Sequence, residues 1–291
     1  MFRKVLKYDF RAVGRLWWIL ALSVTWISIL GAFVLRFMIS YFANDMAEFN
    51  LIVEMMVIGG IIFLVGSFIA IGASGLLSQL LVYYRFYKNF FTDEGYLTFT
   101  LPVSRKTLLL AKTVNAFIWS VFSGALIFLC IGIFILIAPP SEYASQFYRM
   151  FFSGFLADAF SFILDGVGAW IIIYAIEAIL IFCAYSVFTI SLIHLCITIG
   201  AIVAKKYKLL AGVGIYYVAN MVISTVSQIV MIFGSSIFGA IYDEFIAEAS
   251  TAAKHGFTTF TMLLVLIAIS ALAFVTYTVT RKKLECKLNL E

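Results

Sequence analysis

Charge and proline are scarce in this 291-residue sequence. Only 12% of the residues are Asp, Glu, Lys or Arg, and the whole chain contains three prolines. A soluble globular protein typically has about 25% charged and about 45–50% apolar residues, whereas 64% of this chain is hydrophobic. Too few polar residues remain to cover a water-soluble body, so the composition predicts that lipid covers part of the surface.

The motifs of several enzyme classes are also absent. None of the 19 glycines is followed by lysine, so the chain has no phosphate-binding loop of the form G-x-x-x-x-G-K-[ST]. There is no H-E-x-x-H, and the two histidines, His194 and His255, lie on different segments. The four cysteines form no C-x-x-C pair. We therefore expect no catalytic residue, no metal site and no cofactor bound to this chain.

Long apolar runs dominate what is there. A membrane-spanning helix needs about 20 apolar residues, and six segments meet that requirement. They predict an all-α, polytopic membrane protein with a single transmembrane domain over residues 1–291. The first run is too long for a cleavable signal, so we expect a retained span. The runs cover approximately residues 16–40, 55–84, 108–138, 166–204, 209–242 and 257–280.

Basic residues collect on one side of these six predicted spans. Of the 20 Lys and Arg residues, 17 lie at the two ends of the chain or in the links between spans two and three and between spans four and five. Cytoplasmic loops are enriched in Lys and Arg, so we expect a bacterial cytoplasmic-membrane protein with both termini in the cytoplasm. The net charge of +5 follows from this topology and requires no nucleic-acid partner.

Three further segments have distinct patterns. Residues 1–15 alternate apolar and basic positions at helical spacing, which predicts an amphipathic helix lying in the lipid headgroup layer. In the second span, Gly66, Ala70, Ser74 and Ser78 form a ladder of small residues suited to close helix packing. The outer segment, residues 139–165, is rich in aromatics and predicts one or two short helices. A seventh span is the alternative.

Intramembrane polar residues mark a candidate substrate path, because they are costly in lipid. Glu177 is the clearest carboxylate inside a predicted span, and Asn220 and Gln228 lie in the next span. In one interpretation Glu177 lines a conduit and meets a cationic or polar group of the substrate. In the other, it is structural and either bonds to Asn220, Gln228 or water or is held protonated.

The link between spans two and three, residues 85–107, is the most informative stretch. Aromatic residues lead into Asp93-Glu94-Gly95, where Gly95 permits a sharp turn. We expect an extended piece after Gly95, broken by Pro102, and a helix cap at Ser104. These features predict a structured surface element.

This stretch resembles part of the permease subunits of bacterial ATP-binding-cassette (ABC) exporters of the second exporter type. Their pattern is an acidic-Glu-Gly-Tyr-Leu stretch, then Leu-Pro-Val-Ser, a basic pair and a helix with an early lysine. The matching residues are Asp93, Glu94, Gly95, Tyr96, Leu97, Leu101, Pro102, Val103, Ser104, Arg105, Lys106 and Lys112.

The resemblance implies one half of a permease that pairs with a second permease subunit, of the same or a different chain. Two separate ATPase subunits, which carry the ATP and Mg²⁺, would dock beneath it. Residues 83–94 would form the coupling helix that sits in the ATPase. The complex would move an amphipathic peptide, a lipid or a lipophilic compound outward. The implied coupling residues are Arg85, Lys88, Asp93, Glu94, Gly95, Tyr96, Leu101 and Pro102.

Two other functions fit the same composition. A non-transporting sensor, immunity or scaffold subunit would bind no ATPase and would tolerate substitutions of Glu177 and of residues 85–107. An ion-coupled secondary transporter or a channel would be expected to carry several intramembrane carboxylates or basic residues, whereas Glu177 stands nearly alone.

Overall fold

The computed structural model describes residues 2–43, 51–100, 102–204 and 206–286, and these ranges contain helices, turns and no strand. The predicted all-α class is therefore confirmed for the described residues. Within them, π-helical turns at Arg149–Leu156 join α5 to α6, and others at Tyr242–Ile246 extend α8. The α-helices are α1 Phe2–Ala43, α2 Leu51–Phe91, α3 Asp93–Phe99, α4 Arg105–Ile137, α5 Ser141–Tyr148, α6 Ala157–Val167, α7 Trp170–Val203, α8 Lys208–Ile241 and α9 Thr251–Cys286.

Seven helical stretches in the described residues are long and apolar enough to cross a membrane, which makes this a multi-pass membrane protein. Six of them coincide with the predicted runs over most of their length, and residues 138, 166–169 and 204 of those runs lie outside these six stretches. The additional stretch is Ser141–Val167, where α5, the π-helical turns and α6 follow one another without a break. The sequence predicts one or two short helices here, and the structure has one continuous helical stretch of 27 residues.

Helix ends follow from local sequence. Pro139 and Pro140 stop α4 after Ile137, since proline cannot continue the backbone hydrogen bonding of a helix. Gly168 has a φ of 57°, a left-handed conformation that favours glycine, and it separates α6 from α7. No such break occurs within α1. Residues 2–15 are thus the first turns of the same helix that continues to Ala43.

Two compact units make up the chain. The N-terminal unit comprises Arg3–Tyr84 and Val114–Asp165. The C-terminal unit comprises Phe2, Arg85–Thr113 and the described residues from Gly166 onward. The chain passes from one unit to the other inside α2 and again inside α4, so each of these two helices belongs to both units.

Small and aromatic residues hold the N-terminal unit together. The Trp17 indole N–H donates a hydrogen bond to the Ser123 hydroxyl over 3.2 Å, and the Trp17 and Trp119 rings lie 5.0 Å apart. On α2, Ser67, Ser74 and Ser78 are all buried. These three serines share one face of α2, and that face packs inward.

The C-terminal unit is built around α7, which packs against both α8 and α9. At the α7–α8 crossing, Gly200 is so close to Gly212 that a Cβ on Gly200 would lie 2.3 Å from the Gly212 nitrogen. Further along α7, the buried Phe188, Leu192 and Cys196 form an apolar cluster with Ala273 of α9.

Candidate functional site

Residues 85–107 form a helical elbow within the C-terminal unit. The last turns of α2 run to Phe91, the chain bends at Thr92, and α3 begins at Asp93. Residues 83–91, the main part of the predicted coupling helix, are therefore a continuation of α2. The separate short helix is Asp93–Phe99.

Glu94 ties the start of α3 back to the end of α2. Its carboxylate lies 2.8 Å from the Lys88 ammonium and 3.7 Å from the Arg85 guanidinium. The hydrogen bond from Lys88, together with the positive charges of Lys88, Arg85 and Lys112, holds the pKa of the Glu94 carboxyl below its usual value. The three predicted residues Arg85, Lys88 and Glu94 are thus brought together, and the ion pair is formed at neutral pH.

Gly95 allows the first turn of α3 to lie close to the backbone at the end of α2. Its backbone N–H donates to the Thr92 carbonyl over 2.7 Å, and a Cβ there would lie 2.8 Å from the Phe90 carbonyl oxygen. The extended piece expected after Gly95 is wrong, because residues 93–99 are helical. Gly95 has no positive φ, so its role is to let α3 pack against the backbone at the end of α2.

The other predicted coupling residues take no part in the contact between Gly95 and the end of α2. Asp93 is an exposed first-turn residue of α3, and Pro102 lies exposed in the bend before α4. Tyr96 lies within α3, and the structure describes its backbone only. Leu101 lies outside the described residues.

The start of α4 is fixed from two sides. The Ser104 hydroxyl accepts a hydrogen bond from the Thr107 backbone N–H over 3.3 Å, which confirms the predicted helix cap. The Arg105 guanidinium donates to the backbone carbonyls of Leu284 and, over 3.0 Å, Glu285. Arg105 therefore binds the last turn of α9, a partner 179 residues away in the sequence.

A buried aromatic contact fixes the elbow to α7. The Phe86 ring of α2 stacks on the His194 ring of α7 with centroids 3.9 Å apart and planes inclined by 21°, and each side chain is 1% exposed. In the sequence, Phe86 is one of several aromatic residues before Asp93, and nothing singles it out. The signal available was the Phe86–Phe90 spacing of four residues, which places both rings on one face of the helix.

The predicted substrate-path residues are not brought together. Glu177 is buried in α7, and its Oε2 has no hydrogen-bond partner among the described residues. Asn220 and Gln228 of α8 are exposed. No hydrogen bond joins Glu177 to either of them within the described ranges.

A polar contact near Glu177 was not predicted. One turn before Glu177 on α7, the Tyr174 hydroxyl lies 2.9 Å from Nδ1 of His255 on α9. The His255 ring also stacks on Trp170, with centroids 5.3 Å apart. These residues form a polar contact between α7 and α9. Because His255 is at least 81 residues away from its partners in the sequence, no local pattern predicts the contact.

The described residues contain no group of three or more His, Cys, Asp or Glu side chains that could hold a metal ion. Comparison of the chain with protein-family models, with curated proteins and with solved structures finds no match.

Proposed function

We propose that this chain is the transmembrane permease subunit of an ABC exporter of the second exporter type. The observation that carries the proposal is the Glu94 elbow: the residues that resemble the family motif form a short helix, held by two ion pairs at the end of a long apolar helix. Because the ion pairs keep this element rigid, it can transmit the movement of a partner protein at the membrane surface to the helices of this chain.

We further propose that both termini face the cytoplasm and that six of the seven apolar helices cross the membrane. The Ser141–Val167 stretch would then lie at the outer surface. It carries Glu142, Arg149, Asp158 and Asp165, and a carboxylate near the centre of a span costs about 2.5–3.5 kcal/mol. A crossing there would also place the basic links on opposite sides, against the usual bias of Lys and Arg.

Two contacts connect the elbow to the C-terminal helices. The Phe86–His194 stack joins the elbow to α7, and the Arg105 hydrogen bonds join it to the end of α9. Closure of two partner ATPases on ATP and Mg²⁺ would move the elbow, and these contacts would carry the movement to α7 and α9. A second permease subunit, the same chain or another, would complete the pathway for an amphipathic peptide, a lipid or a lipophilic compound.

Co-purification with the ATPase tests this proposal. We expect the wild-type chain to retain an ATPase subunit, and Glu94→Ala to weaken retention or lower the substrate-stimulated ATP hydrolysis of the complex. Glu142→Ala, which removes an exposed carboxylate on the Ser141–Val167 stretch, is the matched control and should behave as wild type. The proposal fails if no ATPase is retained and Glu94→Ala and Glu142→Ala are indistinguishable.

A further inference from the structure

An open surface cavity of about 350 Å³ lies at the turn between α7 and α8, away from the Phe86–His194 and Arg105 contacts of the proposed mechanism. Its volume is within the range of about 300–1,000 Å³ that ligand sites occupy. Its walls come from the turn, from the first turns of α8 and from the last turns of α2. Its lining includes Tyr87, Lys206, Tyr207, Lys208, Leu210 and Val213.

The cavity carries two positive charges, and the Lys206 ammonium lies 5.8 Å from the centroid of the Tyr207 ring. Two lysines and no carboxylate line it, and neither Lys206 nor Lys208 forms an ion pair with another residue that the structure describes. Both lysines stand at the N-terminal end of α8, where the helix dipole disfavours cations. Tyr207 supplies no side-chain cap to the first turn of α8. The site is therefore complementary to an anion.

An apolar stripe leads away from the lysines. Leu210 and Val213 are followed along α8 by Tyr217 and Met221, at steps of three and four residues that keep them on one helix face. All four side chains are between 54% and 70% exposed. A small soluble anion would leave this stripe uncovered, whereas the acyl chain of a lipid would cover it.

We propose that the cavity binds the phosphate headgroup of an anionic phospholipid. Lys206 and Lys208 contact the phosphate, Tyr87 and Tyr207 border the headgroup as interfacial aromatics, and an acyl chain lies along the apolar stripe of α8. Basic sites beside membrane-spanning helices recognise anionic headgroups by this combination of charge and apolar surface. The proposal is independent of the exporter function, since it concerns only a multi-pass chain and its lipids.

Native mass spectrometry of the full-length protein, released from nanodiscs of phosphatidylcholine and phosphatidylglycerol, tests the site. We expect the wild type to retain phosphatidylglycerol preferentially. The double variant Lys206→Gln/Lys208→Gln should lower that preference about twenty-fivefold, because each lysine in contact with the headgroup phosphate contributes about fivefold. The control Lys106→Gln/Lys282→Gln removes two exposed lysines that do not line the cavity and should leave the preference unchanged.

Two further arms separate the sources of the anion. Met221→Ser alters the stripe without touching the lysines and should weaken phosphatidylglycerol retention while leaving competition by inorganic phosphate unchanged. The proposal is overturned if the cavity and control double variants lose lipid equally. It is also overturned if inorganic phosphate displaces the lipid in full, or if the lysine substitutions release a bound protein while the lipid count stays the same.

Discussion

Replacing Gly200 with alanine tests the α7–α8 crossing directly. The new Cβ would lie 2.3 Å from the Gly212 nitrogen and 2.5 Å from its Cα, whereas ordinary contact begins at 3.4 Å. The two helices must therefore separate by about 1 Å, and the obstructing atoms are backbone, which cannot rotate away. Overpacking of this kind costs about 1–3 kcal/mol, and we expect the upper end here.

Alanine also gains helix propensity, about 1 kcal/mol over glycine. The net loss expected for Gly200→Ala is therefore about 2 kcal/mol. Gly214→Ala is the matched control, because Gly214 is in α8 and a Cβ there meets nothing within 4 Å; this variant should be up to about 1 kcal/mol more stable than wild type. Gly212→Ala should fall between the two, since its Cβ would lie 3.0 Å from the Ile197 Cα.

The assay is reversible unfolding in mixed detergent micelles, followed by tryptophan fluorescence, with the free energy of unfolding as the readout. The expected order of stability is Gly214→Ala, then Gly212→Ala, then Gly200→Ala. Equal stability of the Gly200→Ala and Gly214→Ala proteins would refute the close crossing.

Three further substitutions test the site. Phe86→Ala should lower the free energy of unfolding by about 3–5 kcal/mol, because it removes a buried ring. The control Phe128→Ala, at a 77% exposed position, should lower it far less. Equal losses for the two variants would contradict the buried stack. The pKa of Glu94 is lowered, so its ion pairs persist until the pH falls below the usual carboxyl range, about 4. A spin label attached to the cysteine of an Asp93→Cys variant should therefore stay immobile down to that pH. Adding Glu94→Gln should make the label mobile already at pH 7. Glu177→Gln should impair transport at normal expression if Glu177 meets the substrate, and unaltered transport would remove that role.

The helices themselves were predictable because their signal is local. A run of apolar residues marks a span wherever it packs, and each of the six predicted runs coincides with a long helix over most of its length. The Ser141–Val167 stretch differs because its charged residues interrupt the apolar pattern, so the sequence favoured short helices there.

Packing faces were harder to predict, and the serines of α2 show why. A ladder with steps of four, such as Gly66, Ala70, Ser74 and Ser78, drifts around a helix that has 3.6 residues per turn. The buried stripe alternates steps of four and three and includes Ser67 in place of Gly66, whose Cβ would meet nothing within 4 Å. Ser74 and Ser78 of the predicted ladder are therefore buried within this chain, whereas Gly66 lies off the buried stripe.

The elbow was partly predictable. The motif located it, but Gly95 was interpreted as a turn residue, although Asp93 and Glu94 are acidic residues of the kind that stabilise the first turn of a helix. The partners of Phe86 and Arg105 are more than 100 residues away in the chain. Nothing local in the sequence specifies such pairs, since they depend on how the helices meet.

The passage of α2 and α4 through both units has a consequence for biosynthesis. Residues 85–113 belong to a unit whose remaining helices are translated only after residue 165. At about 5–20 residues per second, the ribosome needs on the order of ten seconds to make residues 166–286. During that interval Phe86 and Arg105 have emerged without His194 or the end of α9 to receive them. The nascent elbow is therefore open to insertion factors and proteases until the last helix is made, and truncation before α9 should leave it in that state.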